Sequence, residues 1–400
     1  MKAGSWPSIL VIYLFGVVAA SAVTRIIPLG SDIMARFVID NRQFGWLISL
    51  IAIPAVLLAI PSSLAVARFG PRAVLIGSAV MAAIANMLDL IADHFSILQI
   101  SRLIEGIAVV HIYTAAPAFL MATVTGPRRT HALTLWATYA PVGTALGLGL
   151  GGLGAGSPGW RLPFALFCGI AAGVAMLGCL LPRVRSLPEG ASATPTLGQQ
   201  VRNLAAACTS PRLLALGLAA LVVISLGFGA NISLPDWLVR NHHIPPAEAA
   251  GILSLLTLLM LPGSFGAGTL MSGAGLSPPR LFLILAPLGF AAGALAFKPE
   301  MTLVTRYVAV GGWFLCSGAA LAIVMAALPL AAQPAHHGAA AALVNQAGAL
   351  ATFINPPFWQ SMLASGIWSP FALTLAIGWI ISAGAMLFLT NRFAYDTQQG

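Results

Sequence analysis

The chain has 400 residues, of which 59% are hydrophobic and only 7% are charged, and its mean hydropathy is +0.93. Soluble domains carry about a quarter charged residues, so this composition indicates a polytopic membrane protein and excludes a large water-soluble core. The formal net charge is +9, but the basic residues are scattered through short loops. That distribution is typical of membrane orientation and gives no support to a nucleic-acid partner.

Apolar stretches long enough to cross a membrane recur along the whole chain. A transmembrane helix needs roughly 20 apolar residues, and this criterion predicts about twelve spans. They lie near residues 8–30, 43–65, 73–92, 97–122, 132–154, 161–182, 212–234, 248–270, 280–297, 302–328, 338–363 and 369–390. The predicted fold class is therefore an all-α polytopic membrane protein.

The two halves of the chain repeat each other at an offset of about 206 residues. The segment Trp160–Leu166 returns as Trp368–Leu373, and Arg102 near the start of span 4 is echoed by Arg306 near the start of span 10. A duplicated set of spans, with a binding site between the halves, is how many transporters are built. The repeat predicts two pseudo-symmetric six-helix bundles and a transport function.

A long polar break, from Pro182 to Arg212, separates the two halves. It contains four arginines and the run Pro-Glu-Gly-Ala-Ser-Ala-Thr-Pro, which is typical of a flexible linker. We therefore predict an N-terminal bundle at 1–182, a cytoplasmic linker at 183–211 and a C-terminal bundle at 212–400. With the N-terminus inside, eleven loop arginines and lysines face the cytoplasm and five face outwards. This asymmetry predicts a multi-pass protein of the cell (inner) membrane with both termini in the cytoplasm.

The loop after span 2 resembles a signature of the major facilitator superfamily. It reads Ala-Arg-Phe-Gly-Pro-Arg, against the family's Asp-Arg-x-Gly-Arg-Arg. Arg68, Gly70 and Arg72 match the signature, whereas Ala67 stands where the family usually has an aspartate. The resemblance implies that the three matching residues belong to a cytoplasmic gate, in which this chain lacks the acid of the family's usual charge relay.

Two helical motifs extend the resemblance over essentially the whole chain. Span 4 reads Arg102-Leu-Ile-Glu105-Gly106, similar to the family's Arg-x-x-Gln/Glu-Gly motif. Span 5, from Ala140 to Gly147, resembles in part the glycine and proline motif of proton-antiporting members. Arg25 followed by Pro28 faintly resembles the cyanate and nitroimidazole branch. The family resemblance implies a major facilitator fold that works by alternating access.

In the family that the chain resembles, helices 1, 4, 7 and 10 line the central cavity. Arg25, Arg102 and Arg306 fall on three of those helices, and Asn231 in span 7 occupies the position equivalent to Arg25. At about 100° per residue, Tyr113 shares a face with Arg102, and Trp313 shares a face with Arg306. The predicted substrate-binding residues are Arg25, Arg102, Arg306, Asn231, Tyr113, Trp313, Asn345 and Gln346.

Two acids inside predicted spans are candidates for proton coupling. Ionisable side chains inside the hydrocarbon cost a few kcal/mol or more, so Glu105 in span 4 and Asp89 in span 3 need an explanation. Structural alternatives stay open for the same residues. Arg102 could pair with Asp89 or Glu105 only for stability, and the arginines could snorkel to the interface. Asn345 and Gln346 could bond between helices instead of binding substrate.

The sequence contains no recognisable set of catalytic residues. No nucleophile–base arrangement, phosphate loop or zinc-ligand spacing is present, and the four cysteines form neither a metal nor a disulfide pattern. We therefore predict no enzyme activity, no cofactor and no metal. The expected partners are a small-molecule substrate and the lipid bilayer, and the expected state is a monomer.

Three arginines against one nearby carboxylate favour a small organic or inorganic anion as substrate, because guanidinium groups hold carboxylates bidentately. The predicted function is a secondary active transporter of such an anion, with proton coupling as an option. The alternative is a proton-coupled exporter of amphipathic compounds or drugs, supported by the span 5 motif and a cavity rich in Leu, Met, Phe and Trp. A membrane-embedded enzyme acting on lipids would require a cluster of acids or histidines, which the sequence lacks.

Overall fold

The computed structural model describes residues 1–156, 159–183, 198, 210–298, 300–331 and 337–390. Within these residues every regular element is helical, which confirms the predicted all-α fold class. The α-helices are α1 Trp6–Thr24, α2 Gly30–Phe37, α3 Asn41–Ser49, α4 Ile53–Phe69, α5 Pro71–Leu90, α6 Phe95–Thr123, α7 Pro127–Ala137, α8 Tyr139–Gly152, α9 Leu162–Cys179, α10 Pro211–His242, α11 Pro246–Thr257, α12 Met260–Gly273, α13 Pro278–Ala296, α14 Leu303–Ala326, α15 Leu328–Ala331, α16 His337–Ser365 and α17 Ser369–Phe388.

Ten helical segments in the described part of the chain are long and apolar enough to cross a membrane. They correspond to ten of the predicted spans, and several combine two consecutive helices. The fifth predicted span is helical but is divided at Thr138 into α7 and α8. The eleventh corresponds to α16, which contains Asn, Gln and Pro residues and is not among these ten.

The chain divides into two compact units. The first comprises 1–194, 232–257 and 356–361, and the second comprises 195–231, 258–355 and 362–400. Helices α10 and α16 therefore contribute residues to both units. The domains predicted from the sequence follow chain order, and their bounds stay a prediction. Most of the predicted linker at 183–211 lies outside the described residues.

In the first unit, α5 packs between α6 and α9, while α1 packs along α8 and α4 along α6. Phe15, Phe119 and Phe167 are completely buried in its apolar core. Helix α11 also belongs to this unit and packs against α8, where Ser254 donates a hydrogen bond of 2.6 Å to the carbonyl of Ala145. The first half of the sequence and part of the second therefore belong to one compact unit.

Glycines let α8 approach α1 more closely than other residues would. Gly143, Gly147 and Gly151 follow at intervals of four and share one face of α8. A Cβ atom on Gly147 would lie 2.6 Å from the carbonyl oxygen of Ser21, and one on Gly151 would overlap the carbonyl of Arg25. The backbone around Arg25 is therefore held tightly against α8.

In the second unit, α13 packs between α14 and α17, and α12 packs against α14. Its core includes Trp313 of α14, whose ring meets that of Trp379 edge to face with centroids 5.9 Å apart. Phe282 of α13 is completely buried beside Trp379, at 5.8 Å between ring centroids. Aromatic edge-to-face contact of this kind fixes the three helices laterally.

Candidate functional site

Four charged side chains meet inside the first unit, on three different helices. Arg25 follows the last residue of α1, Asp89 lies near the end of α5, and Arg102 and Glu105 lie one turn apart on α6. Each of the four is at most 1% exposed. These four residues form the buried charge cluster, which we take as the candidate functional site.

Glu105 is the centre of the buried charge cluster. Its Oε1 accepts a hydrogen bond of 2.6 Å from Nη1 of Arg25, and its Oε2 accepts one of 2.5 Å from Nη1 of Arg102. One carboxylate therefore bridges two guanidinium groups from different helices. Charge-assisted bonds of this length are among the strongest polar contacts that proteins make.

Asp89 completes the charge balance of the cluster. Its Oδ2 lies 3.4 Å from Nη2 of Arg25, and its Oδ1 accepts a hydrogen bond from the hydroxyl of Ser101. Asn86, one turn before Asp89, donates at 3.3 Å to Glu105. Two arginines and two carboxylates are formally neutral together, which is the condition under which buried ions are tolerated.

Apolar and backbone groups of α9 and α1 hold the arginines from the other side. The guanidinium carbon of Arg25 lies 4.3 Å from the ring centroid of Phe167 and 5.2 Å from that of Phe164. The carbonyl of Ala22 accepts a hydrogen bond of 2.9 Å from Arg102. Stacking on an aromatic face suits a guanidinium and would not suit a lysine as well.

Some hydrogen-bonding capacity in the cluster is unused. Among the described residues, Nη2 and Nε of Arg102, Nε of Arg25 and Oδ1 of Asn86 are buried without a hydrogen-bond partner. An unpaired buried donor costs about 1–3 kcal/mol. The cluster can therefore gain from a rearrangement that gives Arg102 a further acceptor.

A group of aromatic residues lies near α6, about two turns beyond Glu105. The ring of Tyr113 is 5.1 Å from that of Tyr139 on α8, which is 4.5 Å from the ring of Trp136 at the end of α7. The hydroxyl of Tyr13 lies 3.1 Å from that of Thr138 beside them. Tyr113, Tyr139 and Trp136 are all half-buried residues.

The remaining predicted binding residues lie in the second unit, where no such cluster forms among the described residues. Arg306 is completely buried and donates to the backbone carbonyls of Ala296 at 2.6 Å, Lys298 at 2.8 Å and Met301 at 3.3 Å. Its partners are the last residue of α13 and two residues of the loop that follows it, so Arg306 ties this loop to α14. Further predicted residues of this unit are buried Asn231 and Trp313, exposed Asn345 and half-buried Gln346.

The three predicted gate residues lie at the junction of α4 and α5. Gly70 adopts a φ of 80°, which favours glycine at this turn. Arg72 donates at 2.6 Å to the carbonyl of Cys179 and at 3.4 Å to that of Gly178, at the end of α9. Arg68 is exposed and its guanidinium lies 5.4 Å from the ring centroid of Phe69. A cation at the carboxyl end of a helix is favourable.

The family of the chain follows from a match along most of its length. Residues 9–356 match the model of the Major Facilitator Superfamily. The chain belongs to the major facilitator superfamily. This confirms the family indicated by the sequence motifs, a superfamily of transporters and not of enzymes.

Curated members of the superfamily resemble part of the chain. The Probable sugar efflux transporter of Pasteurella multocida (strain Pm70) is 32% identical over 241 residues, which is 59% of this chain and 57% of that protein. The protein of the same description from Haemophilus influenzae (strain PittGG) is 24% identical over 234 residues, 58% of this chain and 57% of its own length. The chain thus matches somewhat more than half the length of these relatives.

Solved structures of the superfamily share the fold over nearly the whole chain. A D-xylose-proton symporter superposes with a TM-score of 0.76 at 16% identity, covering 96% of this chain and 97% of the other. A bacterial homologue of the human lysosomal transporter Spinster, inward-facing and unoccupied, gives a TM-score of 0.73 at 18% identity, covering 96% and 95%. At these identities the likeness shows the fold alone, which is the major facilitator fold.

Three residues that contact the buried charge cluster were not predicted from the sequence. Asn86 lies three residues before Asp89, and Ser101 directly precedes Arg102, so proximity to a charged residue was a usable signal for both. The sequence does not indicate the contact of Phe167 with Arg25, because an apolar span contains many aromatic residues and no pattern shows which of them meets a given arginine. In the residues that the structure describes, no three His, Cys, Asp or Glu side chains form a group that could hold a metal.

Proposed function

We propose that this transporter moves a small, uncharged, polyhydroxylated solute of sugar size, by alternating access between two six-helix bundles at 1–182 and 212–400. The observation that carries the proposal is the neutrality of the buried charge cluster. Arg25 and Arg102 donate to Glu105, and Arg25 also contacts Asp89. Two of the three arginines that favoured an anion are therefore already balanced by carboxylates, and an anionic substrate would have to compete with them.

The aromatic group supports a sugar-like substrate. This group brings three aromatic rings and two phenolic hydroxyls together, on the half-buried residues Tyr113, Tyr139 and Trp136. Aromatic faces pack against the apolar C–H faces of a sugar ring, while hydroxyls exchange hydrogen bonds with its polar edge. The names of the curated relatives and of the D-xylose symporter point to the same substrate class.

We further propose that Glu105 couples transport to protons. Protonation of this carboxyl would weaken its bonds to both arginines at once and leave the cluster with one excess positive charge. Because Arg25, Asp89 and Glu105 lie on three different helices, the change would alter how α1, α5 and α6 are held together. A ligand shifts a conformational equilibrium only when it binds one of the two states more tightly than the other, and we propose that a proton on Glu105 is such a ligand.

A small anion is the second candidate substrate, and one observation favours it. Nη2 and Nε of Arg102 are buried without a partner among the described residues. A carboxylate that reached them would gain paired, charge-assisted hydrogen bonds. Export of amphipathic compounds is the third candidate and draws on the apolar composition of the spans.

Counterflow in proteoliposomes distinguishes the candidates. The panel consists of labelled D-xylose and other monosaccharides, small carboxylates and inorganic anions, and a hydrophobic cation. We expect counterflow of at least one sugar, and we expect Tyr139→Leu to raise its half-saturation concentration by about tenfold through loss of stacking. The matched control is Phe388→Leu, at an exposed position at the end of α17, which should leave transport unchanged. Counterflow of anions alone, or of the cation alone, would replace the sugar proposal with the corresponding candidate.

A further inference from the structure

A cavity lies away from the buried charge cluster, at the start of α1 and α7. It has a volume of about 590 Å³ and opens to the surface. Its lining consists of Ala3, Gly4, Trp6, Thr123, Val124, Thr125, Arg128 and His131. None of these residues has a part in the transport mechanism proposed above.

The walls of this cavity carry positive charge without any acid. Residues 1–31 and 106–188, which supply all of its lining, contain neither aspartate nor glutamate. Arg128 provides a permanent positive charge, and Lys2 directly precedes the lining residue Ala3 in the chain. The first turn of α7, to which Arg128 belongs, adds the positive end of a helix dipole. An anion in the cavity would thus meet attraction from several sides.

Arg128 keeps most of its hydrogen-bonding capacity for a ligand. One of its Nη atoms donates to the carbonyl of Gly4 at 3.2 Å, which anchors the side chain at the cavity wall. The neighbouring Arg129 is used differently, because it donates to the carbonyls of Val124 and Met121 at the end of α6. A guanidinium has five N–H donors, so an anchored Arg128 can still present a fork to a phosphate.

An apolar strip runs along α1 from the cavity. Trp6, Leu10 and Leu14 follow at intervals of four, and their exposed fractions are 45%, 49% and 39%. Residues at this spacing share one face of a helix. A ligand with a charged head in the cavity could therefore lay a hydrocarbon chain along this strip.

We propose that the cavity beside Arg128 binds the phosphate group of an anionic ligand. An anionic phospholipid is the source that the apolar strip favours, and the predicted orientation places Arg128 at the cytoplasmic membrane surface. Basic pockets between transmembrane helices at that surface are suited to anionic headgroups. A soluble phosphate ester offers the same phosphate chemistry without the chain.

Two binding measurements on the purified full chain separate these sources. In the first, native mass spectrometry counts phosphatidylglycerol molecules retained after extraction from nanodiscs of phosphatidylcholine with added phosphatidylglycerol. In the second, thermal unfolding in detergent is followed with increasing sn-glycerol 3-phosphate. Each is performed on wild type, Arg128→Gln and Arg280→Gln. Arg280 is an exposed arginine in the first turn of α13, also preceded by proline, and serves as the matched control.

We expect wild type and Arg280→Gln to retain phosphatidylglycerol equally, and Arg128→Gln to retain at least about tenfold less at equal lipid concentration. If sn-glycerol 3-phosphate stabilises wild type but not Arg128→Gln, and phosphatidylglycerol is not retained, the phosphate site stands and its ligand is a soluble phosphate ester. The proposal is overturned if wild type responds to neither probe, or if Arg128→Gln and Arg280→Gln behave alike. Folding of Arg128→Gln is checked by its unfolding temperature without ligand.

Discussion

The substitution Glu105→Gln tests whether the buried charge cluster is held together by charge balance. The glutamine keeps the shape of the side chain but removes the carboxylate that bridges the two guanidinium groups. Arg102 then loses its carboxylate partner, and Arg25 retains only Asp89 at 3.4 Å. The cluster passes from formal neutrality to one buried positive charge in excess.

The size of the effect follows from the burial of the four side chains. All are at most 1% exposed, so solvent does not screen the excess charge. Removing one partner of a buried ion pair costs about 3–5 kcal/mol. For a unit of roughly 200 residues, each kcal/mol lowers the melting temperature by about 2–4 °C. We therefore expect Glu105→Gln to melt roughly 6 to 20 °C below wild type.

The assay is thermal unfolding of the purified protein, followed by tryptophan fluorescence. The double variant Arg102→Gln with Glu105→Gln restores formal neutrality and should recover most of the lost stability. Glu248→Gln, at an exposed acid in the first turn of α11, should differ little from wild type, because exposed charges contribute about 0–1 kcal/mol. A double variant no more stable than Glu105→Gln alone would refute the charge-balance argument.

The same variant tests coupling when transport is measured below its melting temperature. If Glu105 takes up the coupled proton, Glu105→Gln should lose accumulation driven by a pH gradient and keep substrate exchange, which needs no net proton movement. If the carboxylate is only the structural partner of the arginines, exchange and accumulation should fall together. Preserved pH-driven accumulation would exclude Glu105 as the coupling residue.

Four further outcomes are expected. Arg25→Lys should lower the melting temperature, because one ammonium cannot reproduce the guanidinium fork or its stacking, and equal stability would argue against both contacts. Gly147→Leu should prevent close packing of α1 on α8 and abolish the monodisperse peak in size-exclusion chromatography, whereas Gly169→Leu, with open space around it, should not. Arg306→Gln should reduce unfolding free energy by about 1.5–3 kcal/mol through lost bonds to backbone carbonyls, with substrate affinity unchanged in counterflow. A reporter fused after Gly400 should report the cytoplasm, and an external signal would reverse the predicted orientation.

Local sequence patterns were sufficient for the fold class and the family. Hydropathy locates membrane helices because every helix in the bilayer must satisfy its own backbone, and that requirement acts on about 20 consecutive residues at a time. The internal repeat and the motifs at 67–72 and 102–106 are likewise visible without coordinates. One contact of the site also follows from local spacing, since Arg102 and Glu105 lie three residues apart on one helix.

The rest of the site depends on how the helices pack. Arg25 meets Glu105 across 80 residues of sequence and Asp89 across 64, and no helical period relates such positions. The sequence predicted Arg25 as a substrate ligand from its place on span 1, whereas its surroundings show two carboxylates and two phenylalanine rings. The packing of α1 decides which groups surround Arg25, and the glycines of α8 leave room for the close approach of these two helices. Amino-acid sequence by itself determined which segments enter the membrane and which charges go with them. Only the tertiary structure decided which charges neutralise each other, because that choice depends on distances of a few ångströms between helices that are far apart in the chain.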